Sequence, residues 1–165
     1  MISKKKKRDH IVFLSEPHIV NKNNLKTFEY ILLEDILKIF DKVIVRLHPK
    51  ESKNKYYDLI SKFPKANISI VDPYEENLGS TLSKSKLSIG IQSTALYLSY
   101  LLGINTVSIL PKKCLTPNIP LPKKYILKKL NHVKTLNFTN IERLEPNTNA
   151  ISFYECINFL SRGNK

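Results

Sequence analysis

The chain has 165 residues, 42% of them hydrophobic, with 27 Lys and Arg against 14 Asp and Glu, a formal net charge of +13. Such a length suits one domain with a core that needs no disulfide staples, and such an apolar content excludes a disordered chain. The charge favours anionic partners: nucleotides, acidic glycans, anionic headgroups or nucleic acid. Part of it also fits a compositional drift towards Lys, Ile and Asn.

Residues 1–10, "MISKKKKRDH", read as a charged lead-in without the apolar stretch of a secretory signal. The domain is expected over residues 11–165. "IVFLS" (11–15) reads as a buried strand. "NNLKTFEYILLEDILKIF" carries Leu25, Phe28, Leu32, Ile36 and Ile39 at helical spacing, with Asn23 or Asn24 near the cap. "VIVRL" (43–47) is the second strand. "SKNKYYDLISKF" reads as a helix capped by Ser52 and ending before Pro64. "NISIV" (67–71) is the third strand, "ENLGSTLSKS" a short helix and "LSIGI" (87–91) the fourth strand.

"STALYLSYLLG" is apolar nearly all round, which predicts a buried helix ending at Gly103. "TVSIL" (106–110) is the fifth strand. "PKKCLTPNIPLPKK" holds four of the nine prolines and reads as a long irregular loop. "KYILKKL" reads as one or two helical turns, "HVKTL" as a sixth strand and "NAISFYECINFL" as a closing amphipathic helix.

Strands that alternate with helices, most of them unbroken apolar runs, predict an α/β fold: a single Rossmann-like, doubly wound parallel sheet. The longest near-apolar run, "ALYLSYLLGI", has ten residues, and a span needs about 20, so no transmembrane helix is expected. Cys114 and Cys156 are far apart and in no metal-ligand spacing. They are expected as reduced thiols in a cytoplasmic protein.

Ligands of such sheets sit at the carboxyl ends of the strands. There the sequence places "EPH" (Glu16, Pro17, His18), "HPKE", "DPYEEN", "QST" and "PKKC". Proline ends a strand and holds the preceding residue extended, so Pro49 fixes how His48 is presented. Arg46 lies on the same strand and Lys50 follows the proline. Ser93 and Thr94 open a helix whose first N–H groups suit a phosphate or carboxylate. Read alone, Ser93 is an N-cap and His48 a loop histidine. Read together they fall on one rim, where a histidine can donate to a phosphate or, protonated, stabilise a leaving one. No glycine-rich dinucleotide fingerprint, GxxxxGK loop or Gly-x-Ser-x-Gly elbow occurs. That argues against a nicotinamide dehydrogenase, a P-loop nucleotidase and an α/β-hydrolase.

A strand ending "RLHP", followed by Ser-Thr at the start of an apolar helix, resembles a group of bacterial glycosyltransferases: polysialyltransferases, capsule Kdo transferases and CDP-glycerol glycerophosphotransferases. "IVFLSEP" and "GINTVSI" fit the same pattern, and the resemblance spans residues 9–111. Members share a two-domain GT-B architecture whose carboxyl-terminal domain binds the donor nucleotide. In polysialyltransferases an HP motif and an S-S/T motif lie around the cytidine nucleotide. Here His48 and Pro49 match the first, and Ser93 and Thr94 the second.

The resemblance implies the nucleotide-binding half of a GT-B fold, acting in surface polysaccharide synthesis. His48 would be its catalytic residue, and the donor a CMP-sugar, with no metal or other cofactor. Glu75 or Glu76 could hold ribose hydroxyls. A glycan acceptor, a partner domain or subunit, and the inner membrane face complete the expected partners. The family's proposed base lies in an acidic motif of the other half. Glu16, Glu75 and Glu76 match no such motif. Two other classes stay open: a non-catalytic cytidine-nucleotide module or degenerate remnant, and a nucleic-acid binder using "KKKKR" and "PKKC…LPKK". Aromatics are not interleaved with those basic clusters, which argues against the last.

Overall fold

The computed structural model describes residues 8–17, 25–112 and 118–135. Outside them lie most of the lead-in, His18, Asn23 and Asn24, part of the proline-rich loop with Cys114, and the expected closing helix with Cys156.

The sheet contains β1 (His10–Leu14), β2 (Lys42–Arg46), β3 (Asn67–Val71), β4 (Ser85–Gly90), β5 (Thr106–Ile109) and β6 (Ile126–Leu127). Its order is β3-β2-β1-β4-β5-β6, and every neighbouring pair is parallel. This is a Rossmann-like, doubly wound sheet. The chain winds outward from β1 to β3, returns to place β4 on the other side of β1, and winds outward again. The crevice between β1 and β4 is the switch point where such folds take ligands.

The unbroken apolar strands follow from burial on both faces. Side chains alternate across a strand. Ile11 and Phe13 join Val43, Val45 and Ile89 against one layer, and Val12, Leu14 and Ile44 face the other. The first layer holds α1 (Leu25–Ile39), whose Leu32, Leu33, Ile36 and Leu37 form the buried stripe, and α2 (Tyr57–Ile60). The second holds α3 (Leu78–Ser83) and α4 (Thr94–Leu101), which contribute Leu82 and Leu96. Each fully buried aliphatic side chain contributes about 1.5–3 kcal/mol.

Gly90 ends β4 where β1 passes closest. A Cβ there would lie 3.1 Å from the Leu14 carbonyl oxygen. Gly103 stops α4 with φ of +70°, the left-handed cap that favours glycine.

Four local expectations change. The helix expected from Ser52 forms only over Tyr57–Ile60, after turns. The Ser52 hydroxyl instead accepts from the Asn54 N–H at 3.3 Å, a local bond that competes with helix. The apolar α4 is not buried all round: Leu96 and Ser99 are buried, but Leu101 and Leu102 are 43% and 46% exposed. An outer-layer helix has only one face on the sheet. The last two elements exchange places. Lys123–Tyr125 is a short 3₁₀ turn leading into β6, which pairs with β5 through Ser108↔Ile126 and Ile109↔Leu127. Leu130–Thr135, expected in part as a strand, is 3₁₀ helix. Its Leu130 and Val133, three apart and so on one face, pack into the α1-side core.

Candidate functional site

A cleft of about 550 Å³ opens at the carboxyl ends of β1, β2 and β4. Ser15, Glu16 and Pro17 line it after β1, Leu47, His48 and Pro49 after β2, Pro73 after β3, and Gln92, Ser93 and Thr94 after β4. The HP turn and the Ser-Thr helix start therefore face one space, although 44 residues separate His48 from Gln92.

The HP turn is built by its own residues. The His48 carbonyl accepts from the Glu51 N–H at 2.9 Å, closing a turn with Pro49 at its second position, where a preset φ is favourable. Glu51 replies: its Oε2 accepts from the His48 N–H at 2.7 Å. The Lys50 N–H donates to His48 Nδ1 at 3.1 Å. With Nδ1 as acceptor, the neutral ring carries its proton on Nε2. Burial lowers the His48 pKa below its usual value, Lys50 and Lys55 lower it further, and Glu51 opposes them. At neutral pH His48 is thus a neutral Nε2–H donor.

At the opposite wall Ser93 is the N-cap of α4, with its Oγ accepting from the Ala95 N–H at 3.1 Å. The hydroxyl proton remains to donate, so cap and ligand roles coexist. Thr94 is the first helical residue and is exposed.

Arg46 lines the cleft, and one nitrogen of its guanidinium is engaged outside it. Nη1 donates to the Glu76 carbonyl at 2.8 Å and to Thr81 Oγ1 at 2.7 Å. Burial lowers its pKa, and Glu76 and Asp72 oppose that. It ties β2 to the start of α3. Glu75 and Glu76 do not line the cleft. The Glu75 carboxylate pairs with Lys53 at 2.7 Å. Glu76 accepts from Thr81 at 2.9 Å and from Lys84 at 2.7 Å. Burial pushes the Glu76 carboxyl up, but those bonds and the nearby cations hold it below its ordinary value.

Behind the cleft lies a polar cluster that strand-by-strand reading missed. Lys55 Nζ pairs with Glu29 Oε2 at 2.6 Å and with Glu51 Oε1. It also donates to Ser15 Oγ and to the Glu16 carbonyl, both at 3.1 Å. Ser15 and Tyr56 share a hydroxyl hydrogen bond of 2.7 Å. Lys55 thus connects α1, the end of β1 and the turn that holds His48. One signal was available: Glu29 stands within the apolar face of α1, between Phe28 and Leu32, and is wholly buried.

Glu16, which the sequence places on this rim without a role, is the most perturbed acid of the site. It is 7% exposed and lines the cleft. Its Oε1 accepts from the Gln92 N–H, just ahead of α4. Burial pushes its pKa up to about 7. Backbone N–H groups around Gln92 oppose the shift and the Glu29 carboxylate adds to it.

Among the described residues no group of three or more His, Cys, Asp or Glu is placed to hold a metal ion, and no helix is long and apolar enough to cross a membrane. Comparison with protein-family models, curated proteins and solved structures finds no match for this chain, so the geometry of the site carries the functional reading.

Proposed function

We propose that this chain binds a CMP-sugar in the cleft at the switch point, as the donor-binding half of a glycosyltransferase of the polysialyltransferase type. One observation carries the reading: His48–Pro49 and Ser93–Thr94 face the same cleft. The resemblance of both dipeptides to the family's motifs supplies the cytidine and the surface polysaccharide. In this reading the N–H groups at the start of α4 and the Ser93 hydroxyl hold a phosphate. His48 Nε2–H donates to the phosphate as it leaves. The acceptor hydroxyl comes from a second domain or subunit.

A thermal-shift screen of CMP, CDP, UDP, GDP and their sugar conjugates tests the base. Calorimetry tests the residues. A hydrogen bond to a charged group contributes about 1.5–3 kcal/mol, so His48→Ala should weaken CMP binding about 10- to 100-fold. Ser93→Ala should weaken it as well. CMP affinity untouched by both changes would show that the cleft is not the nucleotide site.

A second reading, a binding module without turnover, is favoured by one feature. Among the described residues, Glu16 is the only carboxylate lining the cleft, and it is already engaged by the Gln92 N–H. CMP binding without transfer to any acceptor, even with the partner half supplied, would establish it.

A further inference from the structure

Tyr74 stands in the turn after β3 with 81% of its surface in water, more than any other large hydrophobic residue described. A single exposed ring needs no explanation by itself. This one is held in place without being buried. Its N–H donates to Asp72 Oδ1 at 2.8 Å, and its hydroxyl makes a long hydrogen bond of 3.4 Å to the Pro49 carbonyl. Asp72 is a firm anchor: it is buried, and its carboxylate pairs with Lys53 Nζ at 2.9 Å. Lys53 and the Tyr74 N–H hold the Asp72 carboxyl below its ordinary value, so the anchor stays charged at neutral pH. The Asp72 carbonyl accepts the Glu75 and Glu76 N–H groups, both at 3.1 Å, which closes the turn around Tyr74.

The groups that place the ring belong to the cleft. Pro73, its neighbour in sequence, lines the cleft, and so does Pro49, whose carbonyl meets its hydroxyl. The ring therefore bridges the turns that follow β2 and β3, at the mouth of the cleft. Ser93 lies on the other side of β1, after β4. The cleft runs from Ser93 past His48 to Pro49 and Pro73. A nucleotide with its phosphate between Ser93 and His48 has its remaining room in that direction. No Phe or Tyr is among the described residues lining the cleft itself, and the nucleotide reading gives the His48 ring to the phosphate.

We infer that the Tyr74 ring is the platform on which the nucleobase of the ligand stacks. The inference rests on the nucleotide reading of the cleft and adds where the base lies. A ring that is already fixed loses little freedom on binding, which preserves the gain from the contact. Every base has a flat face to stack. Tyr74 thus adds affinity for a base without choosing cytosine, and the choice falls to hydrogen-bonding groups.

NMR titration with CMP and with ribose 5-phosphate, which keeps the sugar and phosphate and lacks the base, separates the parts. Stacking on an aromatic side chain corresponds to about 5- to 150-fold in affinity for one base. Tyr74→Ala should lose a factor in that range for CMP and leave ribose 5-phosphate unchanged. Tyr74→Phe, which keeps the ring and drops the hydroxyl, should bind CMP as wild type does. The ring current should move the H5 and H6 resonances of bound CMP upfield in wild type and Tyr74→Phe, and not in Tyr74→Ala. Equal losses for CMP and ribose 5-phosphate, or a loss in Tyr74→Phe as large as in Tyr74→Ala, would mean that Tyr74 only holds the HP turn. CMP affinity unchanged in Tyr74→Ala, or no upfield shift in wild type, would mean that the base lies elsewhere. Each of these results overturns the inference and leaves the nucleotide site standing. Failure of wild type to bind CMP overturns both.

Discussion

The hollow at the carboxyl end of the sheet measures about 550 Å³, and one at its amino end about 620 Å³. The larger is bordered by strand starts, with Asp9, Lys42, Lys86 and Asn105 beside Phe40 and Val133. Its Lys42–Asp9 ion pair, at 2.6 Å, is open to solvent. The smaller is walled by segments that leave four parallel strands, and behind it the ionic groups are buried. Volume does not separate the two hollows. Convergent, desolvated polar groups do, because only there does a protonation state or a hydrogen bond carry a large free energy.

The contrast is sharpest for the lysines. Lys55→Met should take away the ammonium that the buried Glu29 and Glu51 share, and cost about 3–5 kcal/mol in chemical denaturation. Lys42→Met, at the amino end, should cost about 0–1 kcal/mol. Equal losses would remove the distinction between the ends.

Glu16 gives the next largest effect. Its folded pKa of about 7 lies above the 4.5 of an unperturbed glutamate. The folded state therefore binds more protons between these values. The stability this contributes is complete below pH 4.5 and is lost as pH rises through 7. A shift of this size corresponds to about 3 kcal/mol. Glu16→Gln should gain on the wild type by that order between pH 4.5 and 8. His48, with its lowered pKa, acts in the opposite direction at mildly acidic pH and is common to both proteins. A constant difference across the range would place Glu16 in water.

Gly90→Ala should follow. Its Cβ would press on the Leu14 carbonyl oxygen where β1 and β4 meet. A loss of about 1–3 kcal/mol is expected, with a smaller melting-temperature gain on adding CMP than in wild type. An unchanged protein would mean that the crevice has slack.

Five strands were legible because doubly buried strands leave unbroken apolar runs, and α1 because Phe28, Leu32 and Ile36 repeat at its period. Gly103 was legible because its role is local. "KYILKKL" and "HVKTL" were not. A two-residue strand exists only because the edge of β5 is present to pair with it, and Leu130 and Val133 are helical because the α1-side core receives both. The site divides the same way. His48 and Ser93 were found because topology alone puts strand ends on one rim. Lys55 was not, because its meaning depends on Glu29 and Ser15 arriving from elsewhere in the chain. Arg46, read as a ligand group by its position, lines the cleft and also holds Thr81.

The return of β4 to the side of β1 also sets a timetable. Ser15 meets Tyr56 across 41 residues, but Glu16 meets Gln92 across 76. During synthesis the HP wall and its buried lysine can assemble as soon as α2 has left the ribosome. The helix wall must wait for α4, and until then the β1 edge that β4 will cover stays open. Pairings over such long separations slow folding. The cleft is therefore a late product of folding, and a chain stopped before β4 would display one wall of it beside an unpaired strand.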